Sequence, residues 1–183
     1  GNCNSEADQV TITYTGAPTV NAGADQTVCA NNSVVTLNGS YTVSSGAIWS
    51  GYSGTISDNT DMNATYTPSS SEISTGSVTL TLTTTGNGNC SPEADDMTIT
   101  ITPSPVVDAG ADQSSCENNP DVTLNGSVTI ASGGIWSGGT GSFAPSNTSL
   151  SAVYTPSASE ITAGNVTLTL TSTGNGDCVA ESD

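Results

Sequence analysis

The sequence predicts an all-β chain made of two tandem β-sandwiches set in line, and three observations predict it. First, one stretch recurs: GNCSPEADDMTITIT at Gly88 to Thr102 matches GNCNSEADQVTITYT at Gly1 to Thr15 and, in part, GDCVAESD at Gly176 to Asp183. A period of roughly ninety residues makes each copy one structural unit and changes the reading of everything between. Second, apolar residues alternate with Thr in short runs, VTLTL at Val78 to Leu82 and again at Val166 to Leu170, the signature of strands with one buried face. Third, Gly, Asn, Pro and Ser break those runs about every eight to twelve residues, the turn spacing of a sandwich.

Taken in order, residues 1–16 read as the last strand of a preceding, incomplete repeat, with Val10, Ile12 and Tyr14 alternating with Thr11, Thr13 and Thr15 before Gly16-Ala17-Pro18. Residues 17–103 form the first repeat. Pro18 to Cys29 reads as an extended edge segment bent at Ala22-Gly23, and Val35 to Leu37 followed by Asn38-Gly39 reads as a short strand and tight turn. Ala47 to Trp49 is a strand that carries the repeat's one Trp, and Ala64 to Thr67 is a strand stopped by Pro68. Ser69 to Gly76 is either a helical turn capped by Ser70 or Ser71 ahead of Glu72, or a polar loop. Val78 to Leu82 and Met97 to Ile101 are expected to pair as a hairpin across the Gly86 to Asn89 turn.

Residues 104–183 repeat this order as far as Asp183, where the final strand is due. A sandwich without that strand presents unpaired backbone N–H and C=O groups along an edge. Further chain is expected to cover the edge, or the strand Gln9 to Thr15 of a neighbouring copy, by strand addition. Val10, Ile12 and Tyr14 are therefore strand-exchange candidates.

The Cys, Trp, Cys order within each repeat gives the sandwich an immunoglobulin-like cast. It departs from antibody domains because Cys29 precedes the Val35 strand and Cys90 lies in the last turn, so a bridge is expected at one end of the sandwich, with Trp49 and Trp136 in the cores. The expected pairing is Cys29 with Cys90 and Cys116 with Cys178, each closing a loop of about sixty residues worth roughly 4 kcal/mol in the chain-entropy model. The rival pairing, Cys3 with Cys29 and Cys90 with Cys116, links one repeat to the next.

Charge narrows function sharply. Lys, Arg and His are all absent against 17 acidic residues, for a net charge of −17. Nothing in such a chain neutralises phosphates, which excludes nucleic acid as a partner and disfavours an anionic membrane surface. No apolar run is long enough to insert into a bilayer. The commonest general bases, Schiff-base formers and imidazole metal ligands are missing too, so an enzyme is not expected. Five Cys in step with the repeat, with no zinc-type spacing, suit structural disulfides in an oxidising, extracellular setting. With no initiator Met and no signal peptide, the chain reads as a window of a longer secreted one.

The segments VNAGADQTVC, VTLNGS, GGIWSGGTGSF and ATYTPS, the VTLTLTSTGNG run ahead of Cys178, and MTITIT together resemble the tandem PKD-like, immunoglobulin-like repeats of very large bacterial surface proteins of the gliding-motility and adhesin type. The resemblance covers nearly the whole chain. It implies an exported, surface-anchored or fibre-forming protein whose partners are further copies or repeats of itself, head to tail.

Several constellations are candidates for chemistry. The adjacent Asp95 and Asp96 lack the aromatic surroundings of a glycosidase pair and read as solvated turn. A structural Ca²⁺ is the one cofactor in view, with Asp25 and Asp112 in the AGADQ bends and Glu93, Asp95 and Asp96 in the last turn as candidate ligands. Covalent glycans have sequons at Asn31, Asn38, Asn63, Asn89, Asn125, Asn147 and Asn165. The Thr79-Thr81-Thr83 ladder reads as an ordinary solvent-facing strand surface and not an ice-binding array.

Two functions from different classes remain. One is a structural unit of an extracellular fibre or stalk, each repeat spanning roughly 40 Å from strands of 17–20 Å plus loops. Thr102-Pro103-Ser104-Pro105 is then a stiff linker and Thr15-Gly16-Ala17-Pro18 a looser one. The other is a glycan- or surface-binding module in which Tyr41 and Tyr52 stack on a sugar. Their replacement by Val128 and Gly139 in the second repeat counts against it.

Overall fold

The computed structural model describes residue 1 and residues 3–183. In the first repeat β1 (Thr19–Asn21) and β2 (Gln26–Cys29) flank the bend at Gly23, whose φ of 93° suits glycine. There follow β3 (Val35–Thr36), β4 (Ser40–Thr42), β5 (Gly46–Ser50), β6 (Thr55–Ile56) and β7 (Thr65–Thr67). A helical turn, α1 (Ser70–Thr75), leads into β8 (Ser77–Thr85) and β9 (Ala94–Thr102). One sheet has the order β2-β9-β8-β5, the other β3-β7-β6, and β1 pairs with β4. β8 and β9 form the expected antiparallel hairpin, while β2 lies parallel to β9 with Cys29 opposite Thr102.

Period-2 alternation sends Val78, Leu80 and Leu82 of β8 and Met97, Ile99 and Ile101 of β9 to one face, where they meet Val35, Leu37, Trp49 and Tyr66. The result is an all-β sandwich with Trp49 fully buried, its indole N–H donating to the Asp61 carbonyl at 3.1 Å. Burying side chains of this size contributes about 1.5–3 kcal/mol each.

Two local expectations need correction. Asn38-Gly39 is not a hairpin turn, because β3 pairs with β7 while β4 pairs with β1, so the chain crosses between sheets there. Glycine is required for room: a Cβ at Gly39 would stand 2.8 Å from both Leu82 and the Trp49 ring, and one at Gly126 would stand 2.7 Å from Leu170 and Trp136. The cap of α1 is Ser69, not Ser70 or Ser71; its hydroxyl accepts from the Glu72 N–H, and the Glu72 carboxylate accepts from the Ser69 N–H. A left-handed Gly76 closes the helix.

The second repeat places β10 (Val106–Asp108), β11 (Val122–Thr123), β12 (Ser127–Thr129), β13 (Gly133–Ser137), β14 (Ser142–Ala144), β15 (Val153–Thr155), α2 (Ala158–Ala163) and β16 (Thr169–Thr173) in the same order. Agreement extends to backbone detail, since the counterparts Val43 and Ile130 both sit at positive φ, 68° and 72°. Its core gathers Leu124, Trp136, Ala152, Tyr154 and Leu170, a smaller set than in the first repeat.

The difference has a plain cause. Among the described residues only Ser182 and Asp183, the counterparts of the start of β9, lie beside β16, so Asn165 to Leu168 lack the partner that holds their equivalents in β8, and the nine-residue strand shrinks to five. Gln113 to Cys116, the counterpart of β2, loses its parallel neighbour and forms no strand either. Val10, Ile12 and Tyr14 have the alternation of a strand, pair with no strand among the described residues, and lie 86, 68 and 87% exposed.

Candidate functional site

Two features stand out: the junction between the repeats and the groove along the second one. At the junction a disulfide joins Cys29 to Cys178. Asn31 reinforces it, its amide donating to the Val179 carbonyl at 2.9 Å and to Glu181 Oε1 at 2.7 Å while its own Oδ1 accepts from the Val179 N–H. Asn32 donates to the Asp177 carbonyl, and the Cys178 sulfur lies 3.6 Å from the Pro103 carbonyl.

This bridge overturns the expected pairing of Cys29 with Cys90 and of Cys116 with Cys178, and the rival pairing as well, since Cys3, Cys90 and Cys116 are free. The reason is the parallel strand pair. β2 carries Cys29 to the Thr102 end of β9, whereas Cys90 sits in the turn before Ala94 at the other end. A nine-residue strand separates those ends by about 30 Å, where a disulfide needs Cα atoms within about 7 Å. Cys178 occupies the turn of the second repeat that corresponds to Cys90, and that turn faces back towards the first repeat.

Along the second repeat, the place that β9 fills in the first is a groove of about 530 Å³. Val122, Leu124, Trp136, Tyr154, Val166 and Leu168 line its apolar wall. Val122, Val166 and Leu168 are only half-buried, although their counterparts Val35, Val78 and Leu80 are buried. The residues that close this space in the first repeat are Met97, Ile99 and Ile101, at 1, 0 and 4% exposure, and their counterparts in the opening segment are the exposed Val10, Ile12 and Tyr14. Among the described residues there are thus an open apolar groove beside β16 and an exposed opening segment with the alternation of β9. At the groove's entrance the last residues already begin the pairing: Leu170 and Asp183 exchange backbone hydrogen bonds at 2.8 and 3.0 Å.

The acidic candidates have structural partners. Asp25 accepts from the Thr98 N–H and Asp95 from the Ala22 N–H, both at 2.8 Å, which ties the AGADQ bend to β9. Asp183 repeats the second contact by accepting from the Ala109 N–H at 2.9 Å, while Asp112 lines the open groove. Glu93 and Asp96 are exposed. Among the described residues no three His, Cys, Asp or Glu side chains gather as cation ligands. Of the sequon asparagines, Asn31 is engaged at the junction and Asn147 donates to the Trp136 carbonyl at 3.1 Å, while Asn38, Asn63, Asn125 and Asn165 are exposed. Tyr41 and Tyr52 are not free to stack on a sugar: both pack against the first core, and the Tyr52 ring meets Tyr66 edge-on at 5.4 Å.

Sequence reasoning gave the acidic residue of the helical turn no role beyond capping. Glu72 is buried and receives the Tyr66 hydroxyl, the Ser53 N–H and the Ser69 N–H, each at 2.7 Å. Burial pushes its pKa up, but these donors outweigh burial and hold it at about 2. Glu160 repeats the arrangement with Tyr154, Thr140 and Ser157 and is also held at about 2. Burial first, then the Glu72 contact, raises the Tyr66 pKa, so that side chain stays neutral.

A carboxylate whose pKa falls on folding stabilises the fold above its unfolded value, near 4.3, and loses that contribution as pH drops towards 2. Glu72→Gln is expected to cost about 2 kcal/mol at neutral pH, by leaving buried donors with a poorer acceptor. The gap between wild type and variant should stay constant above about pH 5 and close between about pH 4.3 and 2. Denaturant melts across that range check this, and a gap independent of pH would contradict it.

No family model matches the sequence, and no curated protein matches it. Among solved structures the chain is similar to Protocadherin Gamma B2 extracellular cadherin domains 3–6, with 12% identity over 91% of this chain and 45% of that one and a TM-score of 0.41. It is also similar to mouse Cadherin-23 EC22–24, with 13% identity over 92% of this chain and 64% of that one and a TM-score of 0.42. In both cases the chain spans less than two thirds of the protein it is compared with.

Proposed function

We propose that this chain is a structural repeat unit of an extracellular bacterial surface fibre, with residues 17–103 and 104–183 as two sandwiches in line and residues 1–16 as the last strand of the repeat before them. The observation that carries the reading is the match between the open groove of the second repeat and the unpaired strand of residues 9–15. In this reading Gln9 to Thr15 of a neighbouring copy adds to the sheet beside β16. Val10, Ile12 and Tyr14 then enter the places that Met97, Ile99 and Ile101 hold in the first repeat. Asp8 is the counterpart of Asp183, so the incoming strand continues in register from where Asp183 ends, and the donor's Gly1 to Asp8 leaves the groove. Main-chain hydrogen bonds supply affinity and the alternate side chains supply register.

Composition supports the same reading. A surface of one charge sign keeps a long fibre soluble, the absence of Lys and Arg denies trypsin-type proteases a cleavage site, and a disulfide across the junction suits an oxidising compartment. The absence of His and Lys leaves little for turnover. Sedimentation and electron microscopy of the purified chain test the proposal. Head-to-tail particles should lengthen with concentration, and Ile12→Asp, which puts a charge into the groove, should leave monomers. A wild-type chain that stays monomeric at every concentration would sink it.

A further inference from the structure

The bridge inside this chain follows a rule that assigns two of the three remaining thiols. Cys29 stands at the far end of the first repeat and Cys178 at the near end of the second, so the bond joins one repeat to the next and never closes within either. Cys116 is the counterpart of Cys29, and Cys90 and Cys3 are counterparts of Cys178. The two free cysteines within the repeats therefore lie at the outer ends of the pair, where the next bridge in either direction would form.

Their surroundings reproduce the formed junction, each lacking its other half. The Cys90 sulfur lies 3.7 Å from the carbonyl of Gly16, the counterpart of Pro103, whose carbonyl lies 3.6 Å from the Cys178 sulfur. At the other end, the Asn119 N–H donates to the Cys116 carbonyl at 2.9 Å, the same turn that Asn32 makes on Cys29 at 2.9 Å. Asn118 takes the place of Asn31, the side chain that grips Val179 and Glu181 across the formed junction. Glu93, which Asn118 would grip in the next copy, is exposed and is the counterpart of Glu181. Cys116 is exposed, whereas Cys29, covered by its junction, is buried.

We infer that Cys116 of one copy forms a disulfide with Cys90 of the next, so that strand addition is locked covalently at a junction built like the internal one. The inference rests on the head-to-tail reading above, because the donor strand Gln9 to Thr15 is what brings Cys90, held against Gly16, to the Cys116 end of its neighbour. Closing the bond removes two protons and two electrons and needs a small-molecule disulfide oxidant. The Cys116 thiolate attacks the oxidant and expels one thiolate, and the Cys90 thiolate then attacks the mixed disulfide and expels the second. Two protein thiols and one oxidant disulfide thus become one protein disulfide and two small thiols.

The test treats the full chain with oxidised glutathione and separates it on a denaturing, non-reducing gel. A ladder at multiples of the chain mass is expected, lost on reduction, lost in Cys116→Ser and in Cys90→Ser, and retained in Cys3→Ser. With no Lys or Arg to cut at, a protease cleaving after Glu yields fragments 73–93 and 94–117, each holding one of the two cysteines. The dimer band should contain these two joined. Sedimentation of the Cys90→Ser, Cys116→Ser double variant reports association without the bridge. If that variant associates while the oxidised wild-type dimer lacks the joined fragments, or they are joined only in monomer, the inference is overturned and the fibre reading stands. If neither association nor ladder appears, both fall.

Discussion

Appending Gln-Val-Thr-Ile-Thr-Tyr-Thr, the sequence of residues 9–15, after Asp183 is expected to complete the second repeat and raise its unfolding temperature. The added strand lies where β9 lies in the first repeat. The register Leu80 opposite Met97 and Val78 opposite Ile99 then becomes Leu168 opposite the added Val and Val166 opposite the added Ile. Three further apolar side chains are withdrawn from water, and the half-buried Val122, Val166 and Leu168 are covered. Changing the added Ile to Ala should take back about 2–5 kcal/mol, the usual cost of emptying a core site. Amide exchange gives an independent readout, because Val166 to Leu168, now without a strand partner, should gain protection. No change in melting and no new protection would mean that the groove is not a strand site.

Cys29→Ser is the second large effect. The bond spans 149 residues of sequence, so in the chain-entropy model its loss relaxes a very long loop of the unfolded chain and costs about 5 kcal/mol. The hydrogen bonds of Asn31 and Asn32 to the turn around Cys178 are then left to hold the junction alone. Cys90→Ser is the decisive control. If bridges closed within each repeat, it would cost as much as Cys29→Ser; across the junction it costs nearly nothing in the isolated chain. Denaturant melts without reductant distinguish the two.

Much of the fold was legible because the code for it is local. The alternation in VTLTL and MTITIT fixes which face of each strand is buried whatever the neighbours are, and β8 and β9 lie as that alternation requires. The single Trp per repeat goes to the core for want of any other place to hide its ring. Features that need a partner far along the chain were misread or missed. Asn38-Gly39 has the sequence of a hairpin turn, yet glycine is there because the Trp49 ring lies over it. Glu72 became more than a cap only when Tyr66 and Ser53 arrived from other elements. Tyr41 and Tyr52 lost their freedom to stack on a ligand for the same reason.

By itself the sequence determined the repeat, the alternating strand faces, a surface without cations, and an opening segment with the pattern of a final strand. Tertiary structure alone decided which cysteines meet. A disulfide depends on which strand ends share a pole of the sandwich, and that is set by β2 running parallel to β9, a pairing between segments some seventy residues apart that no local pattern encodes. That one pairing moves Cys29 away from its own repeat's Cys90 and onto the next repeat, turning a staple within a domain into a link between neighbours.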